Sequence, residues 1–164
     1  MRRLLILVAA ATLAATLVGA AGAARPIHQR DTFSGSSVSP AGERCDFDYR
    51  VTFKLTFNDL VFGDLEAPDR LISHVTAFVS HTNLETGYTL TEVDRTVQFL
   101  DFPADKGKTV GIQWKLRTPE GKLVFVRVGQ LRYTLEGEIV KITPHLLPED
   151  VVPIVCGLLG GNAA

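Results

Sequence analysis

The sequence predicts an all-β fold: an antiparallel meander closed into a small β-barrel of roughly 7 to 8 strands, with a β-sandwich as the alternative, preceded by a cleaved signal peptide. Three observations carry that expectation. The stretch CDFDYRVTFKLTF, Cys45 to Phe57, places Phe47, Tyr49, Val51, Phe53, Leu55 and Phe57 on one side of an extended backbone and polar residues on the other. Seven strand candidates follow one another through mostly short turns. No segment beyond the N-terminal run shows an amphipathic helical period over three turns. A closed barrel is preferred because open sheet edges invite aggregation.

In chain order, Arg2 and Arg3 precede an apolar run from Leu4 to Val18 and then small residues, with Ala21 and Ala23 placed as a cleavage site. Residues 1–24 are therefore expected to be a secretory signal peptide, and the protein to be secreted and extracellular. The apolar run gives way before the length of about 20 residues that a membrane span needs. Residues 25–44, rich in Ser, Gly and Pro, read as a flexible arm, with Phe33 able to anchor a short edge strand between Thr32 and Val38. The single β-domain is expected over 45–160, and 161–164 as a disordered tail.

Within the domain, Asn58 to Arg70 reads as a long turn that folds back on the core. Leu71–His81 and Tyr88–Leu100 then pair as strands. Thr109–Arg117 alternates again, Thr118–Gly121 has the Pro and Gly placement of a type I turn, and Lys122 onward returns as a strand. Glu138–Thr143 is the last strand, and the tail beyond it reads as too broken by Pro and Gly for a long helix.

Without Arg2 and Arg3 the 17 Lys plus Arg become two fewer, against 18 Asp plus Glu. A net charge of about −3 with no basic run excludes nucleic acid or an anionic membrane as the main partner. In an exported chain the only two cysteines, Cys45 and Cys156, are expected to form a disulfide, since further Cys or His ligands at metal spacing are missing. No cofactor and no metal site is expected. The chain has no G-x-S-x-G elbow, no H-E-x-x-H and no glycine-rich phosphate loop.

Candidate binding residues lie where the alternation is interrupted. Arg95 stands in the row Val93, Arg95, Val97, Phe99, and Arg127 in the row Leu123, Phe125, Arg127. If those faces point inward, each guanidinium needs a carboxylate, from Glu92, Asp94 or Asp101 or from an amphipathic acid ligand. The competing reading is a bulge at Gly129 that sends the arginines to solvent. His74, on the same strand as His81 but at an odd separation and so on the opposite face, is the third candidate. Val124, Val126 and Val128, apolar opposite Phe125, require cover by the chain's own segments or by a second copy in a homodimer.

TFSG, CDF, the N-x-x-T-G at Asn83 to Gly87, the G-x-I-V at Gly137 to Val140 and the C-G-L-L at Cys156 to Leu159 together resemble small secreted proteins of unknown function from high-GC Gram-positive bacteria. The resemblance implies export and paired cysteines, and no catalytic residue. The expected function is a secreted, non-enzymatic barrel that binds a small apolar or amphipathic molecule or a cell-surface partner. Two alternatives stand beside it: a barrel enzyme shaped like the allene oxide cyclase-like or dirigent-like barrels, and a structural protein of the cell envelope.

Overall fold

The structure, a computed structural model, describes residues 25–143 and 148–161. The expected signal peptide, 1–24, lies outside the described residues, as do 162–164 of the expected tail. The described chain is all-β apart from one helix. Strands β1 (Ile27–Ser39), β2 (Tyr49–Gly63), β3 (Pro68–Asn83), β4 (Thr89–Asp101), β5 (Lys106–Arg117), β6 (Leu123–Tyr133) and β7 (Ile139–Thr143) precede helix α1 (Pro148–Gly160). The strands form one antiparallel meander in sequential order.

Five expectations are corrected here. The sheet is not closed into a barrel, nor split into a sandwich: β1 and β7 are its two edges. β7 is only 5 residues long and pairs with β6 from Gln130 to Tyr133 alone. The stretch read as an arm is largely an edge strand, because the backbone of Ile27–Ser39 pairs with β2 along its whole length. The long turn at Asn58 to Arg70 shrinks to Asp64–Ala67, since β2 runs to Gly63 and β3 begins at Pro68. Cys45 to Asp48 precede β2 as a bend rather than opening it, although Cys45 and Phe47 are buried as the alternation requires.

The fifth correction is the helix. Pro153, Gly157 and Gly160 all lower helical propensity, and a Pro five residues into a helix removes a hydrogen bond. Packing overrides this, because Val151, Val155 and Leu159 recur at four-residue spacing and are almost completely buried. They meet Phe47, Tyr49, Leu90 and Leu116 in one cluster over one end of the sheet. The Cys45–Cys156 disulfide forms as expected and joins the bend before β2 to the middle of α1. At the C-terminus of α1 the Asn83 side-chain amide donates to the Leu159 carbonyl at 3.4 Å, occupying one of the orphan acceptors of the last turn.

Cross-strand register defines the face that α1 covers. Val51 lies opposite His81, His81 opposite Leu90, Glu92 opposite Leu116, and Leu116 opposite Phe125, so these side chains share the inner face. Register shifts in β4 between Glu92 and Arg95, and in β5 between Ile112 and Trp114, bend the sheet at mid-height. Gly111 faces this bend with φ +128, and a Cβ there would collide with the Arg95 carbonyl oxygen. Gly111→Ala is therefore expected to cost about 2 kcal/mol or more. Urea unfolding followed by Trp114 fluorescence measures it, and a loss within the scatter of surface substitutions would show that the bend has no such constraint.

Candidate functional site

The sequence-predicted binding residues are not brought together. Arg95 is exposed on the outer face, because the unbroken register of β4 with β3 puts Leu90, Glu92 and Asp94 on the His81 face and Val93 and Arg95 on the other. His74 is exposed on the outer face too, beside a depression of about 380 Å³ that it shares with His28 and Arg30. Arg127 alone faces inward, at 5% exposure, opposite Trp114 in register. The bulge expected at Gly129 does not occur, and Gly129 pairs in register with Gly111. The odd separation of His74 and His81 does place them on opposite faces, with His81 buried at 3%.

His81 is the centre of a buried polar chain that sequence reasoning missed. The Tyr49 hydroxyl lies 2.5 Å from His81 Nδ1, and His81 Nε2 lies 2.6 Å from Glu92 Oε2. The Asp94 carboxyl hydrogen-bonds to Glu92 in turn. Both rings flanking His81 pack on it, with Tyr49 at 6.0 Å and Trp114 at 6.1 Å between centroids. Burial pushes the Tyr49 phenol up to about 12, so it keeps its proton and donates to Nδ1. Burial lowers His81 to about 4, so the ring is neutral and its Nε2–H donates to Glu92.

The two carboxyls divide their roles by environment. Burial raises Asp94 to about 10, and its hydrogen bond to Glu92 and the like charge there add to the rise; Asp94 therefore holds a proton and donates it. Burial raises Glu92 as well, and the hydrogen bond from Asp94 opposes that rise, making Glu92 the acceptor for both neighbours. Asp94 sits in the gap of the register shift, where the Lys115 backbone amide also donates to it. The carboxyl thus replaces a partner that the irregular ladder withholds. Tyr49, His81 and Glu92 are each at 5% exposure or less, so this chain ties β2, β3 and β4 together beneath the sheet's covered end.

A second polar feature lies at the opposite end of the strands, where a pocket of about 550 Å³ opens between the ends of β4, β5 and β6. Phe99, Leu100 and Tyr133 supply apolar wall, and Tyr133 is held by its hydroxyl against Thr109 Oγ1 at 3.3 Å. Gly107 is buried under the Tyr133 ring, whose close approach leaves no room for a side chain. Arg70, Lys106, Lys108 and Arg132 border the same space. Lys108 lies 5.5 Å over the Phe99 ring, and Arg70 lies 4.3 Å over Phe62, which fixes both cations on aromatic faces.

The acidic residues at this pocket have other engagements. Asp101 accepts from the Ala104 amide at 3.1 Å within its own turn, and Asp105 accepts from the Leu135 amide at 3.0 Å in the turn between β6 and β7. Four cations thus face a space in which both carboxylates are hydrogen-bonded to backbone. The sequence signal for this was available in the turn DFPADKGK and in Arg132, but a charged turn reads locally as a solvated hairpin end. Among the described residues no group of three or more His, Cys, Asp and Glu is arranged to hold a metal ion, and no helix is long and apolar enough to cross a membrane. Comparison with protein-family models, curated proteins and solved structures finds no match.

Proposed function

We propose that the protein is an exported, non-enzymatic binding module for a small amphipathic acid, held in the pocket at the ends of β4, β5 and β6. The observation that carries this reading is the composition of that 550 Å³ space, which has aromatic and aliphatic walls bordered by Arg70, Lys106, Lys108 and Arg132. The volume lies within the range of small-molecule sites, and an apolar lining with a few placed charges is what such sites use for affinity and orientation. Arg132 and Lys108 are cross-strand neighbours and Lys108 stands opposite Phe99, so a carboxylate can meet both cations while its chain lies along Phe99. The chemistry is that expected from the sequence, carried by different arginines. Export is supported by the N-terminal pattern and by the disulfide, which forms in oxidising compartments. The Tyr49–His81–Glu92–Asp94 chain is sealed and serves packing in this reading.

Isothermal titration with dodecanoate, dodecanol and dodecyltrimethylammonium tests it. Dodecanoate is expected to bind most tightly, and a Lys108→Ala, Arg132→Ala double variant to weaken it by about tenfold or more while leaving dodecanol unchanged, since a charge-assisted hydrogen bond contributes ~1.5–3 kcal/mol. Equal affinity for acid and alcohol, or no uptake of either, would refute the proposal.

A further inference from the structure

The net charge of the chain conceals how its charges are sorted. Cross-strand register assigns Arg30, Arg50, Lys54, Arg95, Lys115 and Arg117 to the outer face of the sheet, opposite the face that α1 covers, together with the four cations of the pocket at the ends of β4, β5 and β6. The acids of the strands are kept off it. Asp31, Asp59, Glu92 and Asp94 take the inner face, and Asp69 and Asp101 stand at strand ends. Further acids stand in the turns, Glu85 and Glu120 at the covered end and Asp64, Asp105 and Glu136 at the other. None of the six named cations is ion-paired with a described residue, so the face is a positive band between two acidic rims.

Hydroxyls fill the space between the cations. Thr52, Ser80 and Thr91 form one cross-strand row and Thr32, Thr56 and Thr76 another. Between these rows stands Phe78, 50% exposed beside a depression of about 360 Å³, with Lys54 opposite it on β2 and Val93 opposite it on β4.

We propose that this face binds an acidic polysaccharide, laid across the strands between the rims. Carboxylates along the sugar chain meet the lysines and arginines, sugar hydroxyls exchange hydrogen bonds with the threonine and serine rows, and the apolar face of one sugar ring lies on Phe78. Other polyanions fit the face less well. A bilayer surface is wider than the band and brings its phosphates against the acidic rims too. A single-stranded nucleic acid stacks successive bases on aromatic rings, and among the described residues the band offers it Phe78 alone, Phe99 lying in the pocket.

Isothermal titration at low salt with polygalacturonate, neutral dextran, oligodeoxythymidylate and phosphatidylglycerol vesicles tests this. Polygalacturonate is expected to bind, less tightly as salt rises, and dextran to give no signal. A Lys54→Glu, Arg95→Glu double variant is expected to weaken polygalacturonate by about tenfold or more, and Phe78→Ala by about threefold, each with unchanged Trp114 fluorescence. No binding of polygalacturonate, or equal uptake of dextran, overturns the inference. So does oligodeoxythymidylate or the vesicle surface bound as tightly as polygalacturonate, or an affinity that either variant leaves unchanged. The double variant keeps the pocket cations in place, so this inference and the binding of dodecanoate fail separately.

Discussion

A Cys45→Ser, Cys156→Ser variant is expected to lose about 4 kcal/mol of unfolding free energy, the largest single effect among those derived from this structure. The bridge spans a sequence separation of 111 residues, and closing so long a loop removes much of the freedom of the unfolded chain. The loss has a structural component as well. A free helix of 13 residues is marginal in water even with favourable composition, and α1 contains Pro153 and Gly157. Its stability comes from burying Val151, Val155 and Leu159 against Phe47, Tyr49, Leu90 and Leu116. Cys156 holds that stripe in place from within the helix, while Phe47 closes on Gly160, where a Cβ would stand 2.9 Å from the ring. Urea unfolding followed both by far-ultraviolet circular dichroism and by Trp114 fluorescence separates the two components. The helical signal is expected to melt before the sheet in the variant and together with it in the parent protein. A loss below about 1 kcal/mol, with coincident transitions, would mean that side-chain packing alone docks α1.

The same cluster shows what a sequence can disclose. Strands β2 to β6 were legible because each carries its own period-two record, and Tyr49, Val51, Phe53 and Leu55 alternate with exposed Arg50, Thr52 and Lys54 as that record requires. β1 has no such record. Its side chains are nearly all exposed, and its extended conformation comes from backbone pairing with β2, which leaves no trace in composition. The helix was hidden for the opposite reason: Pro153 and Gly157 speak locally against it, while the tertiary contacts that favour it come from distant residues, Phe47, Tyr49, Leu90 and Leu116. Closure of the sheet depends on whether β7 is long enough to continue the meander, and 5 residues at the end of a chain give little pattern to read.

The site was less legible than the fold. Tyr49, His81 and Glu92 come from three strands, and each looks unremarkable within its own segment. Parity did place His81 away from His74. It also made Val93, Arg95, Val97 and Phe99 look like the buried row of β4, whereas the helix covers the other face and makes Leu90 and Glu92 the buried residues at that end. Nothing in a single sequence marks a bulge whose gap is filled by a carboxyl accepting the Lys115 amide. The pair Glu92 and Asp94 at two-residue spacing was the available clue. Two acids on one face of a strand that also carries Leu90 invite the question of which of them keeps a proton.

That question leads to the second large expected effect, a stability profile bounded by two buried groups of opposite sign. His81 is lowered in the folded state from 6.5 to about 4. A group depressed in this way contributes stability that is fully present above pH 6.5 and is lost as pH falls toward 4, because the unfolded chain takes up the proton first. The full difference corresponds to about 3 kcal/mol for a ring as buried as this one. Asp94 is raised from 3.8 to about 10. Its contribution is therefore fully present below pH 3.8 and is lost as pH rises toward 10, because the unfolded chain releases a proton that the folded one retains. Asp94→Asn removes only this second dependence, since the amide still donates to Glu92 but cannot ionise. The variant is expected to match the parent protein near pH 4 and to exceed it progressively at higher pH, by about 1 to 2 kcal/mol at pH 8, well under the full linkage value because Asp94 is only partly buried. Both proteins are expected to lose stability together below pH 6.5, where His81 governs. Urea midpoints taken at unit intervals from pH 4 to 9 decide the matter: parallel curves above pH 6 would show that Asp94 is ionised in the folded protein and does not donate to Glu92.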